Sequence, residues 1–442
     1  MSDLDTTFLE AADRIGRRLC RDAVWAGRRC NWLGWALVPS RQGWVDSFCA
    51  QDPTLYGGTA GIALFLASLF RWTGDPVERA TLLGVMAQLR DGSGKSTLAD
   101  GFGFHSGRAG MAYALIRVGD LLDDEASIQQ GLELLSALAS REPDPKRLDV
   151  IGGSAGTIPV LLGAAARFGR DDLAASASAH GDLLLSTAVR SDRGWSWDTL
   201  GHAGAPHLLG YAHGAGGIAC ALLELHRATG EDRYREAAGE ALRYERGHFD
   251  AAASNWPDLR VSAASPANSA APREHPVAWC HGAPGVGCSR LRVRALSKSR
   301  DDPELEAEIR VAVETTYAAL PLLMALDRGN FSLCHGAAGC GDFLLLAGET
   351  LERPDLIQVA ETVGRAGEAY YHRNDLPWPC GLLTRRETPN LMLGLAGIGY
   401  FFLRLHSARE VPSVLIVAPE DLTLSAPGLE GRERVSGQLV PA

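Results

Sequence analysis

The sequence predicts an all-α protein made of seven helical hairpins, and two observations predict it. A short word, G-x-x-G followed by an apolar run, recurs seven times: Gly58–Gly61, Gly107–Gly110, Gly153–Gly156, Gly214–Gly217, Gly282–Gly285, Gly336–Gly339 and Gly394–Gly397. The segments behind it have helical rather than strand periodicity. Recurrence in register is the signature of a repeat architecture. The intervals between first glycines are 49, 46, 61, 68, 54 and 58 residues, so the loops vary while the unit persists.

Within a unit, the glycines are followed by an apolar stretch long enough for a helix, as in Ile62–Phe70. A polar turn such as Thr73-Gly-Asp-Pro76 ends it, and an amphipathic segment such as Val77–Met86 follows. Glu231–Ala238 and Pro303–Ile309 open similar second segments. A helix apolar on most sides needs burial, and a helix with one apolar stripe can cover it. A closed ring satisfies both, with seven first helices inside and seven second helices outside, a double barrel. An open solenoid is the alternative. It would need polar end caps, whereas the repeated glycines suit tight turns crowded at one end of a barrel.

The expected organisation is one toroidal domain over residues 51–410. Residues 1–50 read as a leading helical segment packed on the ring, with Trp32, Trp35 and Trp44 against it. Residues 250–276, rich in Ala, Ser and Pro, read as an exposed excursion. Residues 411–442 read as a C-terminal tail, with the apolar patch Val414–Val417 followed by polar residues.

Composition excludes some function classes. The net charge is −10 and the pI about 5.7, with no basic stripe to neutralise phosphates, so nucleic acid is not an expected partner. No apolar run is long enough to cross a bilayer, and no signal peptide is read at Met1–Asp5. Nine scattered cysteines without disulfide-framework spacing point to the reducing cytoplasm.

The repeat register shows where chemistry concentrates. Just before the glycines stand Cys280 and His281, Cys334 and His335, His213, Asp149 and His105, each in a different copy. In a ring these positions share one rim. Two thiolates and an imidazole suit zinc. Cys280, Cys334 and His335 would leave one position open, the catalytic form; using both Cys-His pairs in full would close the shell. Buried thiols beside satisfied histidines are the bland alternative. The other seven cysteines, at positions 20, 30, 49, 220, 288, 340 and 380, read as core or surface thiols.

Trp279-Cys-His-Gly-Ala-Pro-Gly285, Leu333-Cys-His-Gly336, Tyr211-Ala-His-Gly214, Asp149 with its Gly-Gly, and Leu55-Tyr-Gly-Gly58 together resemble the lanthipeptide cyclases, the lanthionine synthetase C-like family. The resemblance runs from about residue 30 to 410. It implies an α/α toroid with one zinc at its mouth, held by Cys280, Cys334 and His335. It also implies addition of a peptide cysteine to dehydroalanine or dehydrobutyrine, giving a thioether ring in an antibiotic-type ribosomal peptide. His213 and Asp149 match the family's acid/base histidine and aspartate. His281 resembles the version in the cyclase halves of two-function synthetases. An arginine that standalone members often place before the first zinc cysteine has no counterpart in Arg273–Ala278. The implied partners are a dehydrated precursor peptide and a separate dehydratase or kinase/lyase enzyme.

The residues fit that chemistry on their own terms. The thiolate is the nucleophile, and a coordinating metal deprotonates a thiol. Zn²⁺ with two thiolates is formally neutral, so a third thiolate leaves an electron-rich anion. Addition yields an enolate that needs a proton, for which His213 is suited. Asp149 would orient that histidine or serve as a helix N-cap. His105 and His281 read as groups that support the ligands from behind or line the mouth, and Tyr56 and Trp279 as pocket walls or plain aromatic packing. Small-thiol addition to damaged proteins and a non-catalytic zinc scaffold are the competing functions. A glycosidase, which needs paired carboxylates, ranks last.

Overall fold

In the computed structural model, residues 6–40, 43–92, 101–201, 206–260, 273–297, 302–325 and 329–423 are described. Each glycine word begins an inner helix that an outer helix follows. The pairs are α2 (Thr59–Thr73) with α3 (Pro76–Gly92), α4 (Arg108–Leu122) with α5 (Glu125–Ala139), and α6 (Ser154–Phe168) with α7 (Asp171–Thr187). They continue with α8 (Ala215–Thr229) and α9 (Asp232–Arg246), α10 (Ala283–Leu296) and α11 (Pro303–Leu323), and α12 (Ala337–Thr350) and α13 (Pro354–Gly367). The last inner helix is α14 (Leu395–Ser407).

The inner helices pack in succession, α2 on α4, α4 on α6, α6 on α8, α8 on α10, α10 on α12 and α12 on α14, and α14 returns to α2. The ring is therefore closed. Its inner helices are apolar almost all round: every residue from Thr59 to Leu69 of α2 is buried. The outer α9 buries only one stripe, Tyr234, Ala237, Ala238, Ala241 and Glu245. The helical pattern thus sorts the two rings as expected.

The partner of α14 comes from the other end of the chain. Helix α1 (Thr6–Asp22) packs on α14 and also touches α2 and α3, burying Phe8, Ile15 and Leu19. The expected helical segment over residues 1–50 extends only that far. After Asp22 the chain forms two antiparallel ribbons, β1 (Val24–Ala26) with β2 (Arg29–Asn31) and β3 (Leu33–Ser40) with β4 (Gly43–Ala50). Gly27, at φ +62°, makes the first turn, and the aromatic and β-branched residues favour strands. Trp32 is buried and donates its indole N–H to the Leu19 carbonyl at 2.7 Å. Trp35 packs on Phe48 across the second ribbon, and the side chain of Trp44 lies outside the described residues. A third ribbon joins β5 (Val189–Ser191) to β6 (Gly194–Ser196).

Two spacers depart from expectation. Residues 255–259 of the supposed exposed excursion are largely buried, with Asn255, Trp256 and Leu259 inside, and the Asn255 side-chain amide ties the segment to the His275 and Pro276 carbonyls. Residues 261–272 lie outside the described residues. The start of the tail is not a loose end. Val411, Val414, Leu415 and Val417 are buried, and α15 (Glu420–Thr423) packs on α6 and α4. The polar residues beyond 423 lie outside the described residues. The tail enters the barrel lumen. Tyr400 donates to the Pro412 carbonyl, Ser413 donates to Asp342, and Trp279 donates to the Leu415 carbonyl. The Val417 amide donates to Tyr211, and Arg292 donates to Glu420.

Candidate metal centre and its surroundings

The glycine word has a steric cause that is the same in all seven copies. The second glycine faces a carbonyl six residues earlier. A Cβ on Gly61, Gly110, Gly156, Gly217, Gly285, Gly339 or Gly397 would lie 1.6–2.2 Å from the carbonyl oxygen of Leu55, Phe104, Val150, Tyr211, Trp279, Leu333 or Leu391. No side chain fits there, so the turn folds tightly over the start of its inner helix.

Backbone bonds then tie one turn to the next around the rim. Tyr56 N–H donates to His105 O, His105 N–H to Ile151 O, and Val150 N–H to Ala212 O. Cys280 N–H donates to Cys334 O, Cys334 N–H to Met392 O, and Met392 N–H to Tyr56 O. Among the described residues no such bond joins the fourth turn, around Ala212, to the fifth, around Cys280.

This lacing brings Cys280, Cys334 and His335 together. Their ligand atoms all lie within 4.8 Å of one another, which fits a single metal ion. The two sulfurs share one hydrogen bond, and His335 adds another to Cys280, which holds Cys280 well below the usual thiol range although burial opposes this. Cys334 is driven the other way, first by Cys280 and then by burial. The Tyr56 hydroxyl bonds Cys334.

His335 is held at its backbone and at its ring. Asn330 accepts from the Ser332 amide at 3.0 Å and donates to the His335 carbonyl at 3.3 Å. A Cβ on Gly381 would lie 3.0 Å from His335 Nε2, so only glycine leaves room for that ring. His281 is turned away from the other three groups. Its Nδ1 lies 3.7 Å from Asp258, and its ring stacks on His213 at 5.6 Å. Burial pulls His281 down to about 4. The two Cys-His pairs thus do not contribute four equivalent donors.

His213 Nδ1 and Asp149 Oδ2 are 2.8 Å apart. The other Asp149 oxygen accepts from the Gly152 amide at 2.8 Å, which fixes the carboxylate. Burial disfavours protonated His213, but the Asp149 bond and charge outweigh it, and the pKa is raised. His105 has no hydrogen-bond partner on either ring nitrogen and is pulled down by burial to about 3. It sits in a box of Tyr56, Phe104 and Trp279, a neutral packing group under the site.

A model of the lanthionine synthetase C-like protein family matches residues 50–416. This chain belongs to that family. A curated relative, the lacticin 481/lactococcin biosynthesis protein LcnDR2 of Lactococcus lactis subsp. lactis, is 26% identical over 195 residues. That match takes in 44% of this chain and only 20% of LcnDR2, so the chain spans a small part of that relative's length. Among solved structures, nisin cyclase superposes with a TM-score of 0.61 at 17% identity, covering 84% of this chain and 91% of that one. At that identity the likeness shows the fold, an α/α toroid.

For this lanthionine synthetase C-like chain, sequence reasoning placed the three candidate ligands, His213 and Asp149 on one rim, and in the structure they lie there. It missed Asn330, Gly381 and the Asp258–Arg260 pair. Arg260 donates to Asp258 at 2.6 Å, and its positive charge reaches Cys280, Cys334, Tyr56, His213 and His281. Asn330 stands six residues before Gly336 as Asp52 does before Gly58, a repeated polar position that could have been read. Arg260 comes from a segment whose composition reads as surface loop, so nothing local announced it.

Proposed function

We propose that this chain is a zinc-dependent lanthipeptide cyclase that joins precursor-peptide cysteines to dehydroalanine or dehydrobutyrine as thioether rings. One observation carries the reading. Two thiols and an imidazole gather within one ion's reach at the rim, alongside a His213–Asp149 pair, in a member of the lanthionine synthetase C-like family. The names of LcnDR2 and nisin cyclase agree with it. The donor set of two sulfurs and one nitrogen fits zinc and leaves a coordination position for substrate.

A zinc ion held by Cys280, Cys334 and His335 would keep a substrate cysteine as thiolate at neutral pH. The chain's own groups do the rest. Attack of that thiolate on the dehydro residue forms a C–S bond and moves the π pair toward the carbonyl, leaving an enolate. His213, protonated and held by Asp149, delivers the proton to Cα. Tyr56 bonds Cys334 and moderates its charge. The thioether product carries the same atoms as thiol plus alkene, so no oxidant or reductant takes part. The dehydrated peptide would come from a separate dehydratase or kinase/lyase.

The test is zinc analysis of the purified chain together with incubation with a dehydrated precursor peptide, with glutathione as a competing thiol. One zinc per chain and loss of the peptide's free thiol at unchanged mass support the reading. A mass gain of one glutathione in preference to ring closure would replace it with small-thiol addition. A zinc-containing chain that reacts with neither would be a binding scaffold.

A further inference from the structure

Among the described residues, the rim lacing is interrupted between the fourth and fifth turns, the turns that carry His213 and Cys280. A fully buried ion pair spans that junction. Glu245 belongs to the outer helix α9 and has no exposed surface. One of its oxygens accepts from both the Gly210 amide at 2.5 Å and the Gly216 amide at 2.9 Å, the two amides that bracket Tyr211-Ala-His213-Gly214. Its other oxygen accepts from Arg290 Nη1 at 2.7 Å. Arg290 is equally buried and sits on α10, the helix that Cys280, His281 and Gly282 lead into. Arg290 Nε donates to Glu308 on α11 at 2.9 Å, and Arg246 binds Glu308 on the outside. Arg246 also reaches Glu304 at 2.6 Å, so the network contains three carboxylates and two guanidiniums.

The fit is close. A Cβ on Gly216 would lie 2.7 Å from Glu245 and 2.8 Å from the Ser289 hydroxyl, so the turn and the pair are pressed together. Gly214, the N-cap of α8, has no side chain to cap its amides, and Glu245 supplies that acceptor from another helix.

We infer that Glu245 and Arg290 form the strut that sets the position of His213 relative to Cys280, in place of the backbone bond missing there. Glu245 is a positioning residue for the proton transfer, acting through the turn it grips. The inference rests on the cyclase reading above for the reaction it serves. The strut itself can be read without that reaction.

Glu245→Gln keeps an acceptor oxygen and removes the charge that faces Arg290. The expected result is wild-type metal content, at least a tenfold faster amide exchange across residues 208–217 with α2 and α12 unchanged, and kcat for thioether formation down about tenfold at constant KM. Glu245→Met combined with Arg290→Met removes both charges together and serves where Glu245→Gln alone does not fold. That pair should restore neither the exchange protection over 208–217 nor kcat, because nothing then grips the Gly210 and Gly216 amides. Wild-type exchange over 208–217 in Glu245→Gln, or full recovery of kcat in the double variant, overturns the strut. A wild-type chain that forms no thioether overturns the cyclase reading instead, and the exchange arm still decides the strut.

Discussion

Cys334 is the residue on which most of the rim converges: Cys280 and Tyr56 reach its sulfur, and its backbone N–H donates to the Met392 carbonyl. Cys334→Ala is expected to abolish metal binding and thioether formation together, and full metal content in a folded variant would remove Cys334 from the ligand set. His213→Asn should keep the metal and slow ring closure about 10²-fold or more, the usual weight of a general acid. Unchanged rates would leave His213 a structural group. The His213 pKa is raised in the fold because Asp149 outweighs burial. The pair's contribution to stability is therefore complete below the unfolded value of about 6.5 and is lost as pH rises through the higher folded value. Proton delivery follows the same sign, so activity should decline on the alkaline side, and Asp149→Asn should bring that decline to lower pH. A pH–rate profile in which the alkaline limb stays in place would detach Asp149 from the proton.

At the scale of the helix and its turn, the glycine word is a packing rule. Gly339→Ala drives a Cβ to 1.8 Å from the Leu333 carbonyl, one residue before Cys334. The expected cost is about 1–3 kcal/mol or more, with weakened metal retention. Gly239, in the outer α9, is the control: nothing lies within 4 Å of its Cβ position, and Gly239→Ala should stabilise by about 0.5–1 kcal/mol. Thermal melts of both variants check this, and equal behaviour would mean that the rim turn yields. The helices themselves were legible because inner and outer segments differ in how far round the apolar residues extend. Residues 24–50 were not, because aromatic residues near a helix look like packing partners until strand pairing is seen. Arg290 and Arg292 were a missed signal. Two arginines inside an inner helix have to find buried carboxylates; Glu308 comes from the next helix, but Glu245 and Glu224 come from the preceding hairpin, 45 and 68 residues away.

For the whole molecule, seven repeats announced a ring, but its closing partner could not be read. Helix α14 pairs with α1, and no periodicity links segments nearly 400 residues apart. The tail was equally opaque, since a short apolar patch does not say where it will be buried. The tail is locked by Arg404, which donates to Asp342 at 2.6 Å and to the Val411 carbonyl at 2.7 Å. Arg404 is 2% exposed and Asp342 1%. Arg404→Leu strands that carboxylate and should cost about 3–5 kcal/mol, read by denaturant unfolding. A loss below about 1 kcal/mol would show the pair to be dispensable.

The threaded tail also determines the traffic through the molecule. A hollow barrel could let a flexible chain pass in at one end and out at the other. Here the segment from Val411 to Leu422 occupies the bore, with Leu415 fastened to Trp279, the residue before Cys280. The rim is therefore a blind dish. Any chain that reaches the sulfurs arrives and departs by the same door, as a loop laid across the opening. For the cyclase proposed above, successive rings on one peptide would be made by releasing that loop and presenting the next, not by reeling the peptide through.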